Sequence, residues 1–253
     1  MKSKRNIDIC LTPSLMELFD LSAKKVVVID VFRATSAMCV FLHNGGDRVI
    51  PVSTIEEAKK YKYKSNPLIK QSYLVAAERN GAIVPGFDLG NSPLLYHDKK
   101  FNDVSLVITT TNGTLAINKS RKSGGGMLLA SFLNINAVAE HIVSHDELDV
   151  LIVCSGWKGR FCIEDVLLAG LLSQVLLKNN RLQSSSDSVL LAQNMYSLAQ
   201  HNVFRFLENS SYRKRMNLDK DVKYCLQTNI MNTVPIWQAD ELGGGFFYAS
   251  KET

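Results

Sequence analysis

The chain contains no run of 18 apolar residues: its longest candidate, 166–177, is broken by Ser173 and Gln174 and is too short to cross a bilayer. At the N-terminus, residues 1–5 are basic, but Asp8 and Pro13 interrupt what would be the apolar region of a signal peptide. Cys10, Cys39, Cys154, Cys162 and Cys225 form no C-x-x-C pair, which argues for reduced, packed thiols over a disulfide framework or a zinc site. No H-x-H or H-E-x-x-H occurs. His141 and His145 can share a helix face, but no Glu or Cys nearby completes a metal set. The Walker A pattern G-x-x-x-x-G-K-[ST] is absent, which speaks against ATP or GTP hydrolysis. Gly243-Gly244-Gly245 is no G-x-G-x-x-G and opens no helix. The net charge of +5 is dispersed, with no basic stripe interleaved with aromatics, so it suits a small anion and not a nucleic acid. These absences point to a soluble, cytoplasmic protein with no membrane and no nucleic-acid partner.

What is present is ordinary globular composition, 46% hydrophobic and 21% charged, in a chain of 253 residues long enough to bury a large core. Val- and Ile-rich runs at 7–11, 25–31, 48–52, 73–77, 104–109, 127–131 and 148–154 read as strands. Helical periodicity falls at 34–44, 54–63, 113–119, 134–143 and 163–177. Such alternation predicts an α/β sheet covered by helices on both faces. The polar connector 183–188 leads into a mostly helical C-terminal part. There Leu190, Leu191, Met195, Leu198, Val203 and Phe206 fall near helical spacing and are expected in the core. Residues 246–249 look like a late strand joining the sheet.

The chain also resembles itself. Residues 26–35 align with 105–114 at a constant offset of 79 positions, which also relates Gly45-Gly46 to Gly124-Gly125 and Ala58 to Ala137. Two similar α/β halves, 25–63 and 104–143, within one unit spanning 1–253 would explain this; chance matching of two βαβ segments is the alternative.

Four polar clusters follow strand ends. In the first, Asp30 closes a strand and Arg33, Thr35 and Ser36 open the next helix. Ligands of parallel α/β sheets collect at such ends, helix N-termini attract anions, and a guanidinium fork fits phosphate or sulfonate. Asp30 suits a magnesium ion. Equally, Thr35 or Ser36 can simply cap the helix while Asp30 pairs with Arg33. The second cluster, Thr109-Thr110-Thr111-Asn112-Gly113-Thr114, offers hydroxyls and backbone N–H groups as an oxyanion cradle, or is a β-branched strand end and turn. The third runs from Glu78-Arg79-Asn80-Gly81 to Asp88, Asn91 and Ser92, a long loop dense in carboxylates and amides. The fourth places Lys158 and Arg160 in a glycine-rich loop before Glu164-Asp165, acids that also complement a helix dipole.

Taken in order, Asp30-Val31-Phe32-Arg33-Ala34-Thr35-Ser36, Gly86-Phe87-Asp88-Leu89-Gly90-Asn91-Ser92-Pro93, Thr109-Thr110-Thr111-Asn112-Gly113-Thr114 and Glu164-Asp165 with Ala169-Gly170 resemble the 2-phosphosulfolactate phosphatase family, and weaker similarity continues to Val234-Pro235. The resemblance implies an α/β/α fold of three layers with two similar halves, and magnesium-dependent hydrolysis of 2-phospho-3-sulfolactate to 3-sulfolactate and phosphate. Another small anionic phosphoester, or metabolite binding without catalysis, is the alternative. On this reading Mg2+ is held among Asp30, Glu78, Asp88, Glu164 and Asp165, with Asp30, Arg33, Asp88 and Asp165 catalytic. Thr35, Ser36, Asn91, Ser92, the 109–114 loop, Lys158 and Arg160 bind substrate, with Lys158 or Arg160 pairing with the sulfonate. A homodimer is compatible with it. Haloacid-dehalogenase phosphatases carry D-x-D-x-T, but Phe32 occupies the second acidic position here, so attack by water is preferred to a phosphoaspartate. Tyr212 stands where the family pattern suggests His, and Asn229 where it suggests Asp.

Overall fold

The computed structural model describes residues 4–62, 72–79, 81–145, 147–241 and 243–250. Strands buried on both faces read as unbroken apolar runs, because neither face needs polar residues. That is why 26–29 and 150–154 are wholly buried. They belong to β2 (Lys24–Ile29) and β8 (Asp149–Cys154), which pair in parallel, with β1 (Arg5–Cys10) and β7 (Met127–Ala130) on either side. A second parallel block comprises β3 (Arg48–Pro51), β6 (Val104–Thr109) and β4 (Ser72–Arg79). Short edge strands β5 (Ala82–Ile83) and β9 (Leu182–Gln183) flank the blocks. The hairpin β10 (Pro235–Ala239) and β11 (Gly245–Ala249) lies between them, giving the eleven-stranded order β5-β4-β6-β3-β11-β10-β7-β2-β8-β1-β9. The late strand expected at 246–249 thus joins the sheet at its centre.

This hairpin sets the relative sense of the two blocks. It is antiparallel to β3, to itself and to β7, and these successive reversals leave the two parallel blocks running in opposite senses. The strand ends after β2 and β6 therefore do not meet by lying on one side of a parallel sheet. They meet because α3 (Gly113–Ser120), which follows β6, crosses to pack against β2. The pairing is reciprocal: β3 lies beside β6, and β7 beside β2.

Alternate residues of the same strands feed cores on opposite faces. Val27, Ile29, Val150 and Ile152 pack with α4 (Ile135–His145), α5 (Ile163–Leu177) and α6 (Asp187–Ala199). Val26, Val28, Leu151 and Val153 pack with α1 (Ala34–His43) and α3. A smaller cluster lies under α2 (Ile55–Lys62). All five cysteines are free and buried. The helix expected over 54–63 and the half 25–63 both end at Tyr63, which lies outside the described residues, as does Asn80.

The C-terminal helices include α7 (Val203–Phe206), α8 (Ser211–Arg215) and α9 (Asp219–Cys225). Here the apolar face of α6 departs from expectation. Met195, Val203 and Phe206 pack on the core, but Leu190, Leu191 and Leu198 are exposed, Leu198 by 72%. The face of α6 that docks carries Val189, Ala192 and Ala199 instead, because Gly170 of α5 lies against the Ala192 carbonyl with no room for a Cβ. Close approach of two backbones selected the small residues, which hydrophobic periodicity ranks below leucine. Among the described residues, no helix is long and apolar enough to cross a membrane.

Candidate functional site

The β2 end is built by its own side chains. The Asp30 N–H donates to Thr35 Oγ1 (3.1 Å) and the Thr35 hydroxyl donates to the Asp30 carbonyl (3.0 Å), while Ser36 Oγ donates to the Val31 carbonyl (2.9 Å). Thr35 and Ser36 are thus buried in the loop's own bonds. Asp30 accepts the Ala34 N–H at 3.2 Å, as an acid should at a helix start. The β6 end copies the device: Thr114 Oγ1 donates to the Thr110 carbonyl (2.8 Å) and Thr110 Oγ1 accepts the Thr114 N–H (3.3 Å). Gly113 then abuts Asp30, since a Cβ there would fall 2.7 Å from the Ala34 Cβ and 2.8 Å from Asp30 Oδ2. Only glycine lets α3 come this close.

These loops close on a cavity of about 280 Å³ whose lining includes Asp30, Arg33, Glu78, Asn91, Thr111 and Asn112. Glu164, Asp165 and Lys158 line it too, so all four sequence clusters contribute. The remaining candidates lie elsewhere. Asp88 accepts the Val75 N–H (2.9 Å) and pairs with Lys62 (3.3 Å), off the cavity. Ser92 precedes a 3-10 turn, Thr109 is fully buried, and Arg160 is exposed.

At the floor sit three buried carboxylates, Asp30, Glu164 and Asp165. Burial pushes Asp30 up to about 6, with help from nearby Glu78, and pushes Glu164 up to about 7, with help from Asp30. Asp165 rises well above the usual carboxylate range through burial and then through Asp30 and Glu164. The acids differ in what they hold. Asp165 accepts the N–H groups of Val31 and Gly156, both at 2.9 Å, and so ties the β2 loop to the loop after β8. Glu164 is 3% exposed, yet its Oε2 has no partner. Glu78 accepts the Gly81 N–H.

Arg33 does not pair with Asp30, as the structural reading of that cluster had it. It donates to Asp221 of α9 (3.1 Å), with both side chains buried, and to the Gly81 carbonyl (3.2 Å). It follows Phe32 through a cis peptide bond. Only folding reveals this partner, because Asp221 lies in a segment without any motif. Of α8 the residues alone singled out only Tyr212, through its departure from the family pattern, yet Arg215 and Met216 line the cavity with it. Their spacing of three and four is one helix face, but nothing local said where that face points. Tyr212 packs on Phe32 at 4.8 Å between ring centroids, and its buried hydroxyl has no partner. Trp157 carries the Arg215 guanidinium 3.7 Å from its ring centroid. Asn229 sits away from the cavity, where its Oδ1 accepts the Asn136 N–H (2.8 Å).

The donor set suits a hard divalent cation. Mutually repelling buried carboxylates gain from one, and an unpartnered Glu164 oxygen offers a lone pair. Among the described residues, no three His, Cys, Asp or Glu side chains are placed to hold a metal by themselves. Magnesium does not require that, since it commonly uses one or two carboxylates and completes its shell with water and phosphate oxygens.

Fold and cavity together describe a mixed α/β protein whose candidate site lies at converging strand-end loops and is lined by four acids and three cations. A family model described as 2-phosphosulpholactate phosphatase matches residues 10–240. The chain is 39% identical over 218 residues to a "Probable 2-phosphosulfolactate phosphatase" of Thermotoga petrophila, covering 85% of this chain and 89% of that one. Proteins with the same description from Caldanaerobacter subterraneus (36%, covering 85% and 88%) and Clostridium botulinum strain Alaska E43 (33%, covering 87% and 91%) are similar over comparable spans. The chain belongs to the 2-phosphosulfolactate phosphatase family.

Proposed function

We propose that this protein is a magnesium-dependent phosphatase that hydrolyses 2-phospho-3-sulfolactate to 3-sulfolactate and phosphate. The observation that carries this reading is the buried acid cluster with an unpartnered Glu164 oxygen, beneath a cavity at the small end of ligand sites, in a chain of this family. Asp30 and Glu164 are the acids that would hold magnesium, since each Asp165 oxygen already accepts a backbone N–H, whereas Glu164 Oε2 has no partner. Bound there, magnesium would supply polarisation of the phosphoryl group and a water of lowered pKa.

The chain's own residues then do the positioning. Arg33 has five N–H donors, of which Asp221 and Gly81 engage part, leaving others for non-bridging oxygens. Asn112 accepts the Lys158 N–H (3.0 Å) and thereby ties the β6 loop to the loop after β8. The unpartnered Asn91 Oδ1 and Tyr212 hydroxyl supply an acceptor and a donor for substrate or water. An internal duplication fits the same reading. It is supported by the reciprocal strand pairing and by the contact between Ala34 and Gly113, which stand 79 positions apart.

Phosphate release from 2-phospho-3-sulfolactate and a panel of small esters tests the proposal. Activity should vanish with EDTA and return with magnesium; full activity after exhaustive chelation would overturn the metal. Arg33→Lys, which keeps charge and loses the fork, should cost about 100- to 1000-fold in rate. A variant within about threefold of wild type would assign Arg33 to holding Asp221 alone.

A further inference from the structure

The cavity's charge is unevenly distributed. Its acids lie at the floor, whereas Lys158 and Arg215 stand at the exposed rim. Arg33 is already paired with Asp221; among the described residues no carboxylate lies within ion-pair distance of Lys158 or Arg215, although the charge of Arg215 reaches Glu164 and favours its ionised form. Both rim cations converge on one indole: the Arg215 guanidinium lies 3.7 Å and the Lys158 ammonium 4.7 Å from the Trp157 centroid. Each gains from the ring's electron-rich face, but two like charges on one ring also repel each other. An anion beside them would offset that repulsion.

The supports of this pair are fixed from two directions. The Lys158 N–H is held by Asn112, and its backbone is in the left-handed region (φ 50°). Arg215 ends α8, whose Tyr212 is anchored against Phe32 one turn earlier. Stacking holds the guanidinium plane before any ligand arrives, so less freedom is lost when its fork meets two oxygens. Arg160, the other basic residue of that loop, spends its backbone closing a turn with Trp157 and keeps its side chain off the cavity.

We propose that Arg215, with Lys158 on the Trp157 platform, recognises the carboxylate or sulfonate carried by the substrate's organic body, and so determines specificity. This rests on the phosphatase reading for the phosphoryl end, but concerns the opposite end of the ligand.

Calorimetric binding of 3-sulfolactate, lactate and propanesulfonate tests it without turnover, and the three ligands separate sulfonate from carboxylate recognition. Wild type should bind 3-sulfolactate, and Arg215→Met should weaken binding by roughly tenfold to a hundredfold, the worth of a charge-assisted hydrogen bond. Arg215→Lys should fall between. Lys214→Met, which removes the same charge from an exposed neighbouring position, should stay within about twofold if net charge alone matters little. In turnover, Arg215→Met should raise KM for 2-phospho-3-sulfolactate far more than for glycerol 2-phosphate, whose organic body is neutral. Wild type that binds none of the three anions, Arg215→Met that binds as wild type, or equal KM increases for both esters would each overturn the proposal. Arg215-dependent binding without phosphate release would uphold it and sink the phosphatase reading; phosphate release with an indifferent Arg215 would do the reverse.

Discussion

The loops after β2 and β6 use one construction for different ends. In each, a threonine one residue into the helix turns its hydroxyl back to a carbonyl at the strand end, Thr35 to Asp30 and Thr114 to Thr110. In each, a side chain at the strand end accepts an N–H from the first turn of the helix, Asp30 from Ala34 and Thr110 from Thr114. One acceptor is a charged carboxylate facing a cavity; the other is a neutral hydroxyl. The position equivalent to Ala34 is Gly113, which fits beside Asp30 only because it lacks a Cβ. The two loops thus differ in charge at this point: Asp30 brings a buried carboxylate to the cavity, and Gly113 brings the close approach of α3.

The strongest way to break this division is Gly113→Val. The new side chain would occupy the space of Ala34 and Asp30, where overpacking typically costs about 1–3 kcal/mol. Because the displaced group is an acid of the cavity floor, activity should fall by at least about 100-fold, as for loss of a well-placed transition-state contact. Steady-state rates and chemical denaturation check both effects; an active, stable variant would show that the contact is dispensable.

A smaller effect concerns the charge itself. Asp30 and Glu164 are pushed up to about 6 and about 7, chiefly by burial. Between the ordinary carboxylate range and these values the folded protein keeps protons that the unfolded chain has released. The contribution of these groups to stability therefore falls as pH rises through that window, and stays lost above it. Without metal, Tm should be lower at about pH 8 than at about pH 5, and magnesium should raise it more at the higher pH, where it competes with fewer protons. Equal magnesium shifts at both pH values would separate the acids from the metal.

The smallest effect compares the two threonines. Thr35→Val removes two hydrogen bonds from buried backbone groups and should cost about 2 kcal/mol, whereas Thr114→Val removes only the bond from its hydroxyl to the Thr110 carbonyl, since its N–H still donates to Thr110 Oγ1, and should cost about 1 kcal/mol. Urea titrations that reversed this order would mean the two loops are not built alike.

Much of this was legible in the residues. The apolar runs marked the strands because doubly covered parallel strands tolerate no polar residue. The four polar clusters were found by their place after such runs, where ligands of α/β sheets gather. Asp88 shows the limit of that rule: it follows β4 and carries the right chemistry, but its carboxylate is engaged by Val75 and Lys62. The exposed leucines of α6 show another, since periodicity identifies an apolar face but not the partner that will cover it.

The sequence by itself determined most strands and helices of the α/β part, the polar clusters that follow them and the family, because these depend on local order and on the identity of neighbouring residues. Tertiary structure alone decided that the two parallel blocks run in opposite senses, that Asp221 and not Asp30 pairs with Arg33, and that α8 turns Tyr212 and Arg215 into the cavity. Each of those facts depends on contacts between segments far apart in the chain, and the energy of such a contact leaves no period or spacing in the residues that make it.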